Sequence, residues 1–186
     1  KISFGQKRNL VLIVLESIEK GYNNELIFGR NLIRKLDELA LDNISFSGHV
    51  ETCATEWTQS AHVNMLMGIP MLSMTKNSSV LSDSFLGNAW AITDELNRQG
   101  YAIACFFGAT GQFSDMEKLF RSHGVQMVEE RDYFDAREKN PYLHYGTKWG
   151  YKDSYIYEKM YEEYARLRTE NRPFCLIMRT VDTHFP

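Results

Sequence analysis

Residues 9–16, NLVLIVLE, constrain the fold of this chain more than any other stretch. They form an unbroken run of Leu, Val and Ile that ends abruptly on a carboxylate. An apolar run of this length, bounded by polar residues, predicts a strand buried on both faces of a parallel sheet. Glu16 then stands at the carboxyl end of that strand, where open α/β sheets place their ligands. A buried, unpartnered carboxylate costs several kcal/mol. Glu16 therefore requires solvent, a bound cation or an Arg or Lys partner.

Strands and amphipathic helices alternate through the rest of the sequence. Residues 17–30 are a polar connection. Residues 31–41 (NLIRKLDELAL) put Leu32, Ile33, Leu36, Leu39 and Ala40 on one face, which predicts a helix packed on the sheet. Residues 44–50 (ISFSGHV) alternate like a second strand, and His49 within them reads as a satisfied or exposed histidine. Thr and Ser crowd the segment before a Met-rich run that Gly68-Ile69-Pro70 ends, so a helix is expected to begin near Thr58 or Gln59. The Thr58 hydroxyl is then either an N-cap or a nucleophile that faces an anionic substrate at the positive helix end. Residues 71–87 are Ser-rich and predict a long loop near the site.

Residues 89–99 form an amphipathic helix stopped by Gly100, and 101–107 (YAIACFF) a third strand. A short helix over 113–123 and a short strand over 125–128 follow. Residues 129–148 read as an irregular connection. Residues 149–169 predict a long helix whose tyrosine stripe is packing, and 174–181 (FCLIMRTV) a fourth central strand. The fold class is α/β: one doubly wound, mostly parallel sheet with helices on both faces, at a length that suits one domain.

Composition narrows the function classes. The chain has 186 residues, 44% hydrophobic and 24% charged, enough to bury one core. A net charge of -3 lacks the basic footprint of a nucleic-acid binder. No apolar run reaches the roughly eighteen residues of a membrane span, and no signal-peptide pattern opens the sequence. Lys1 in place of Met suggests an excised piece of a longer protein. Cys53, Cys105 and Cys175 have no metal-ligand spacing and form no disulfide framework.

The polar residues gather at strand ends: Glu16 after the first, Gly108 to Gln112 after the third, Asp182 to His184 after the fourth. The Thr58 helix start is expected at the same edge. A Glu, a Thr and a His converging there suit metal-assisted substitution at phosphorus or sulfur. A divalent ion on Glu16 would lower the pKa of the Thr58 hydroxyl, and His184 would bind or protonate a substrate oxygen.

In order, LVLIVLES, TEWT, MGIP, FSDMEKLFRSHGV, WGYKDS and TVDTHFP resemble the motif set of the sulfatase-like phosphoglycerol transferases, in the alkaline phosphatase superfamily. The likeness runs from Asn9 to Pro186, nearest to the enzymes that decorate periplasmic glucans and more distant from lipoteichoic acid synthase. It implies Glu16 as a metal ligand and Thr58 as both ligand and nucleophile, forming a covalent phosphoglyceryl intermediate. It also implies His184 as substrate contact or proton donor and Trp57 as a substrate-binding residue. The implied metal is Mn²⁺ or Mg²⁺, which oxygen ligands suit. The implied donor is phosphatidylglycerol, the leaving group diacylglycerol, and the acceptor a glycan or glycerol-phosphate hydroxyl. Such enzymes are anchored in the cytoplasmic membrane by N-terminal helices, absent here, and their catalytic domain faces the periplasm or cell exterior; by this resemblance residues 1–186 look like the N-terminal portion of that domain.

Two departures qualify the likeness. The nucleophile block reads ATEWT where the glucan-modifying enzymes carry glycines, so Glu56 adds a carboxylate. The family's Asp-His metal pair lies downstream of THFP, past Pro186, so this chain is expected to hold at most half the ligands, to bind metal weakly or not at all, and to turn nothing over alone. The alternatives are a phosphoethanolamine transferase, phosphodiesterase or sulfatase on the same fold, or a non-catalytic extracytoplasmic binding domain. No C/S-x-P-x-R motif surrounds Thr58 or Cys53, which counts against a sulfatase that uses formylglycine.

Overall fold

The computed structural model describes residues 5–46, 48, 57–71 and 84–184. The expectations for His49, Cys53, Glu56 and residues 72–83 of the 71–87 loop fall outside them, as do Phe185 and Pro186. Among the described residues a four-stranded parallel sheet in the order β1-β6-β2-β3 forms the centre. Its strands are β1 (Leu10–Val14), β2 (Ala102–Phe107), β3 (Met127–Glu129) and β6 (Phe174–Arg179). The middle strand β6 pairs with β1 from Leu10↔Cys175 to Val14↔Arg179, and with β2 from Ala102↔Phe174 to Phe107↔Arg179. Val14, Arg179 and Phe107 therefore end their strands abreast. Whatever follows them in sequence leaves the sheet at one edge.

Strand periodicity splits β6 between two cores. Cys175 and Ile177, with Ile103, Cys105 and Phe107, face a cluster that includes Val63 and Leu66 of α3 (Thr58–Met67), Leu96 of α4 (Ile92–Arg98) and Leu119 of α5 (Met116–Ser122). Phe174, Leu176 and Met178 face Tyr155, Ile156 and Met160 of α7 (Asp153–Leu167). Helices thus cover both faces, which is the doubly wound architecture. The tyrosine of α7 that enters the core, Tyr155, packs there on Phe134.

Several boundaries move. The long helix begins at Asp153 because Gly150–Tyr151 (β5) pairs antiparallel with Tyr145–Thr147 (β4). The stretch 129–148 is not wholly irregular, since it also contains α6 (Arg131–Asp135) and a 3₁₀ turn over Pro141–His144. The tie is polar: the Tyr145 and Tyr151 hydroxyls both donate to the Asp135 carboxylate. The α4 helix ends as expected, with Gly100 in the left-handed region (φ 86°).

Two packing expectations are corrected. Among the described residues β1 is an edge strand with β6 as its one neighbour, and Leu10, Val11 and Ile13 are exposed instead of buried on both faces. The amphipathic helix exists as α2 (Arg34–Asp42), preceded by the short α1 (Glu25–Phe28). Its apolar stripe does not lie on the sheet, and none of its residues is buried among the described residues. Helical spacing sets which residues share a face, and it does not supply a surface to cover them. Ile44, Ser45 and Phe46, the described start of the expected second strand, are in no strand.

The two environments differ in what they hold together. Leu176→Ala, at a site with no exposure, should cost about 3 kcal/mol in urea unfolding. Leu26→Ser, on an almost fully exposed side chain, should stay within about 0.5 kcal/mol of wild type. Comparable losses from both would contradict this division of the core.

Candidate active site

Glu16 is held at the sheet edge by the segment that leaves β6. Its backbone N–H donates to Thr180 Oγ1 at 2.8 Å, and the Thr183 hydroxyl donates to its carbonyl oxygen. Thr180 N–H in turn donates to Val14 O at 3.0 Å. The two threonines of TVDTH thus continue the β1–β6 pairing past the last ladder bond. Ser17, next in the chain, adopts φ 54° without being glycine, a strained conformation that turns the backbone sharply after the carboxylate.

The start of α3 meets that carboxylate. Thr58 Oγ1 donates to Glu16 Oε2 at 3.1 Å, and Ser17 Oγ donates to Glu16 Oε1 at 3.1 Å. Trp57 is the extended N-cap residue, so Thr58 is the first helical position and its hydroxyl does not cap the helix. Its oxygen faces the carboxylate at the end where unpaired backbone N–H groups favour negative charge.

The last loop is fixed from the other side. The Asp153 carboxylate, at the start of α7, accepts from Val181 N–H at 2.6 Å and Asp182 N–H at 3.1 Å. Asp182 Oδ2 accepts from Asp153 N–H at 3.1 Å. Burial raises the Asp153 carboxyl above its ordinary pKa, and the two N–H bonds oppose that rise. This exchange carries His184 to within 4.6 Å of Trp149, ring centre to ring centre, and Phe113 packs edge-on against the same indole at 5.6 Å. Gly108, where β2 exits, lets β5 approach so closely that a Cβ would sit 2.3 Å from Tyr151 O.

Glu16, Trp57, Thr58 and His184, the residues singled out from sequence, all line one cleft of about 500 Å³ together with Trp149 and Arg179. Sequence reasoning missed Arg179 and His62. Arg179 is the last residue of β6, a lone charge closing the apolar run FCLIM, the same signal that exposed Glu16. Its side chain is buried against the Phe107 ring, 5.1 Å from the centroid, and its Nε–H has no partner among the described residues. Burial lowers its pKa, while Glu16 pulls it back up.

His62 lies one turn along α3 from Thr58 and is 1% exposed. Its Nδ1 donates to Thr58 O at 2.7 Å, so that nitrogen carries the proton and Nε2 is left as an acceptor without a partner among the described residues. Burial, then Arg179, push its pKa down from 6.5 to about 4.

A divalent cation fits this site in part. Glu16 and Thr58 offer a carboxylate and a hydroxyl side by side, the oxygen donors that Mg²⁺ or Mn²⁺ prefers. Among the described residues no group of three His, Cys, Asp or Glu stands together to complete such a shell.

The His62 shift sets a pH dependence. Between pH 6.5 and about 4 the unfolded imidazole binds a proton that the folded one refuses. The stability contributed by burying it neutral is complete above pH 6.5 and is lost as pH falls. At pH 5 the loss should be about 2 kcal/mol. In EDTA, the stability drop between pH 7 and pH 5 should be smaller for His62→Met than for wild type by that amount. Equal drops would place the imidazole outside the core.

The sulfatase family model matches residues 8–186. Phosphoglycerol transferase I of Xanthomonas campestris pv. campestris (strain B100) is 29% identical over 97% of this chain. Phosphoglycerol transferase I of Escherichia coli O6:K15:H31 is 28% identical over 97%. The chain spans about a quarter of their length, 26% and 23% respectively. Among solved structures, a protein in the alkaline phosphatase superfamily from Vibrio parahaemolyticus superposes with a TM-score of 0.73 at 25% identity, over 98% of this chain and 43% of that one. The lipoteichoic acid synthase LtaP of Listeria monocytogenes gives 0.76 at 18% identity, over 96% and 41%, and shares the fold. With a family model spanning nearly every residue and this sheet, the chain belongs to the sulfatase family.

Proposed function

We propose that this chain is the N-terminal part of the catalytic domain of a phosphoglycerol transferase, which moves a phosphoglycerol group from phosphatidylglycerol to a glycan or glycerol-phosphate hydroxyl. The observation that carries the reading is the hydrogen bond from Thr58 Oγ1 to Glu16 Oε2, at a helix start on the carboxyl edge of a parallel sheet. The relatives named phosphoglycerol transferase I support the group transferred. In their likeness we place the site outside the cytoplasmic membrane. No helix of the described residues is long and apolar enough to cross that membrane, so anchoring would fall to other sequence.

Thr58 acts as nucleophile. Its oxygen attacks phosphorus, the bond from phosphorus to the diacylglycerol oxygen breaks, and a phosphoglyceryl ester forms on Thr58. The hydroxyl proton leaves along the hydrogen bond to Glu16 Oε2. His184, held against Trp149 across the cleft, protonates the departing diacylglycerol oxygen. In the second half the acceptor hydroxyl gives its proton to the now neutral His184 imidazole and attacks the same phosphorus, and the bond from phosphorus to Thr58 Oγ1 breaks as Thr58 regains its proton from Glu16. Trp57 and Trp149 supply flat apolar walls for the glycerol carbons. Glu16 and Thr58 would hold a Mn²⁺ or Mg²⁺ ion, which when bound supplies Lewis acidity that lowers the hydroxyl pKa and offsets oxyanion charge. The remaining ligands would come from sequence beyond this chain.

The full-length natural protein, with Mn²⁺ and a fluorescent phosphatidylglycerol, should release diacylglycerol. Thr58→Ala and Glu16→Gln should each lower kcat by about a thousandfold or more, and EDTA should stop release until Mn²⁺ is restored. Release that survives Thr58→Ala would sink the nucleophile assignment.

A further inference from the structure

Arg179 is 6% exposed, yet it lines the cleft that Thr58 opens onto. The strand alternation that puts Cys175 and Ile177 on the α3 side puts Arg179 there too, beyond them toward the site. A buried guanidinium presents five donors and a full charge, and proteins supply such a group with an anion. Here Nε–H is without a partner, the Phe107 ring lies 5.1 Å away, and no ion pair involves this side chain among the described residues. Glu16 and Asp153 influence it only through space, and their oxygens already accept from Thr58, Ser17, Val181 and Asp182. Among the described residues lining the cleft, Arg179 is the one permanent cation.

We infer that Arg179 forms the floor of an oxyanion subsite, where its guanidinium takes non-bridging oxygens of a phosphate ester bound in the Thr58 cleft. The planar fork of guanidinium donors matches two oxygens of a tetrahedral anion, which a lysine ammonium matches less well. The subsite deepens the transferase reading by assigning the group that holds the phosphate. It rests on that reading only for the identity of the ester. The same phosphate could be presented by a lipid headgroup or by a soluble glycerol phosphate.

The test measures binding without turnover, on the full-length natural protein in EDTA. Titration calorimetry with sn-glycerol 1-phosphate and with inorganic phosphate, and co-sedimentation with phosphatidylglycerol against phosphatidylcholine vesicles, separate the two sources. Arg179→Met should weaken binding of the recognised probe by about tenfold or more, and Arg179→Lys should fall between it and wild type. Arg179-dependent binding of glycerol phosphate assigns a soluble ester, and Arg179-dependent binding of phosphatidylglycerol vesicles alone assigns a headgroup. Should Arg179→Met melt well below wild type, the graded loss in Arg179→Lys carries the test. Wild-type binding of no probe, or binding by both variants within about twofold of wild type, would overturn the subsite. The binding assay in EDTA involves no turnover, so failure of the nucleophile assignment is read in diacylglycerol release by Thr58→Ala and failure of the subsite in the affinities of the Arg179 variants, two separate patterns.

Discussion

The double pairing of β6, with β1 on one side and β2 on the other, is the constraint on which the site depends. Its register brings Val14, Arg179 and Phe107 to the sheet edge together. Glu16 follows two residues after the first, and the Thr180–His184 segment follows directly after the second. The hydroxyls of Thr180 and Thr183 then bond the Glu16 backbone. The carboxylate is thereby held by the same strand that delivers His184. A one-residue slip would invert the faces of β6 and send Arg179 toward α7.

Polar groups at this edge are satisfied unevenly. Asp153, Asp182 and the backbone of the last loop exchange hydrogen bonds among themselves. Gln59 Oε1, His62 Nε2 and Arg179 Nε are buried without partners among the described residues, and all three residues line the cleft. A fold usually pairs what it buries. The partnerless groups gather beside Thr58, which marks the cleft as a place built to receive polar atoms from a ligand. His62 is kept neutral there by burial, and Arg179 stays the cation.

Much of this was legible in the sequence because apolar strand runs end where chemistry begins. NLVLIVLE placed Glu16 at a strand tip, and the hydroxyls ahead of the Met-rich run placed Thr58 at a helix start. The structure sets their oxygens 3.1 Å apart. Burial was less legible. The stripe on α2 predicts a covered face and β1 predicts a central strand, yet which surface meets which depends on sheet order, and periodicity does not encode that order. The 129–148 stretch hid its elements because Asp135, Tyr145 and Tyr151 are joined across a turn and not by any repeat. Arg179 carries the same signature as Glu16, a charge closing an apolar run, but TV follows it, so in sequence it reads as part of the strand.

The central claim is that Thr58 carries the transferred group. It is tested most directly by acid-quenching the full-length natural protein during turnover with phosphatidylglycerol, without an acceptor, and mapping the adduct by mass spectrometry. The account predicts one phosphoglyceryl group on the Thr58 peptide, absent from Thr58→Ala and discharged when an acceptor is added before the quench. An adduct on another residue, or turnover with none trapped under conditions that block the second step, would contradict it.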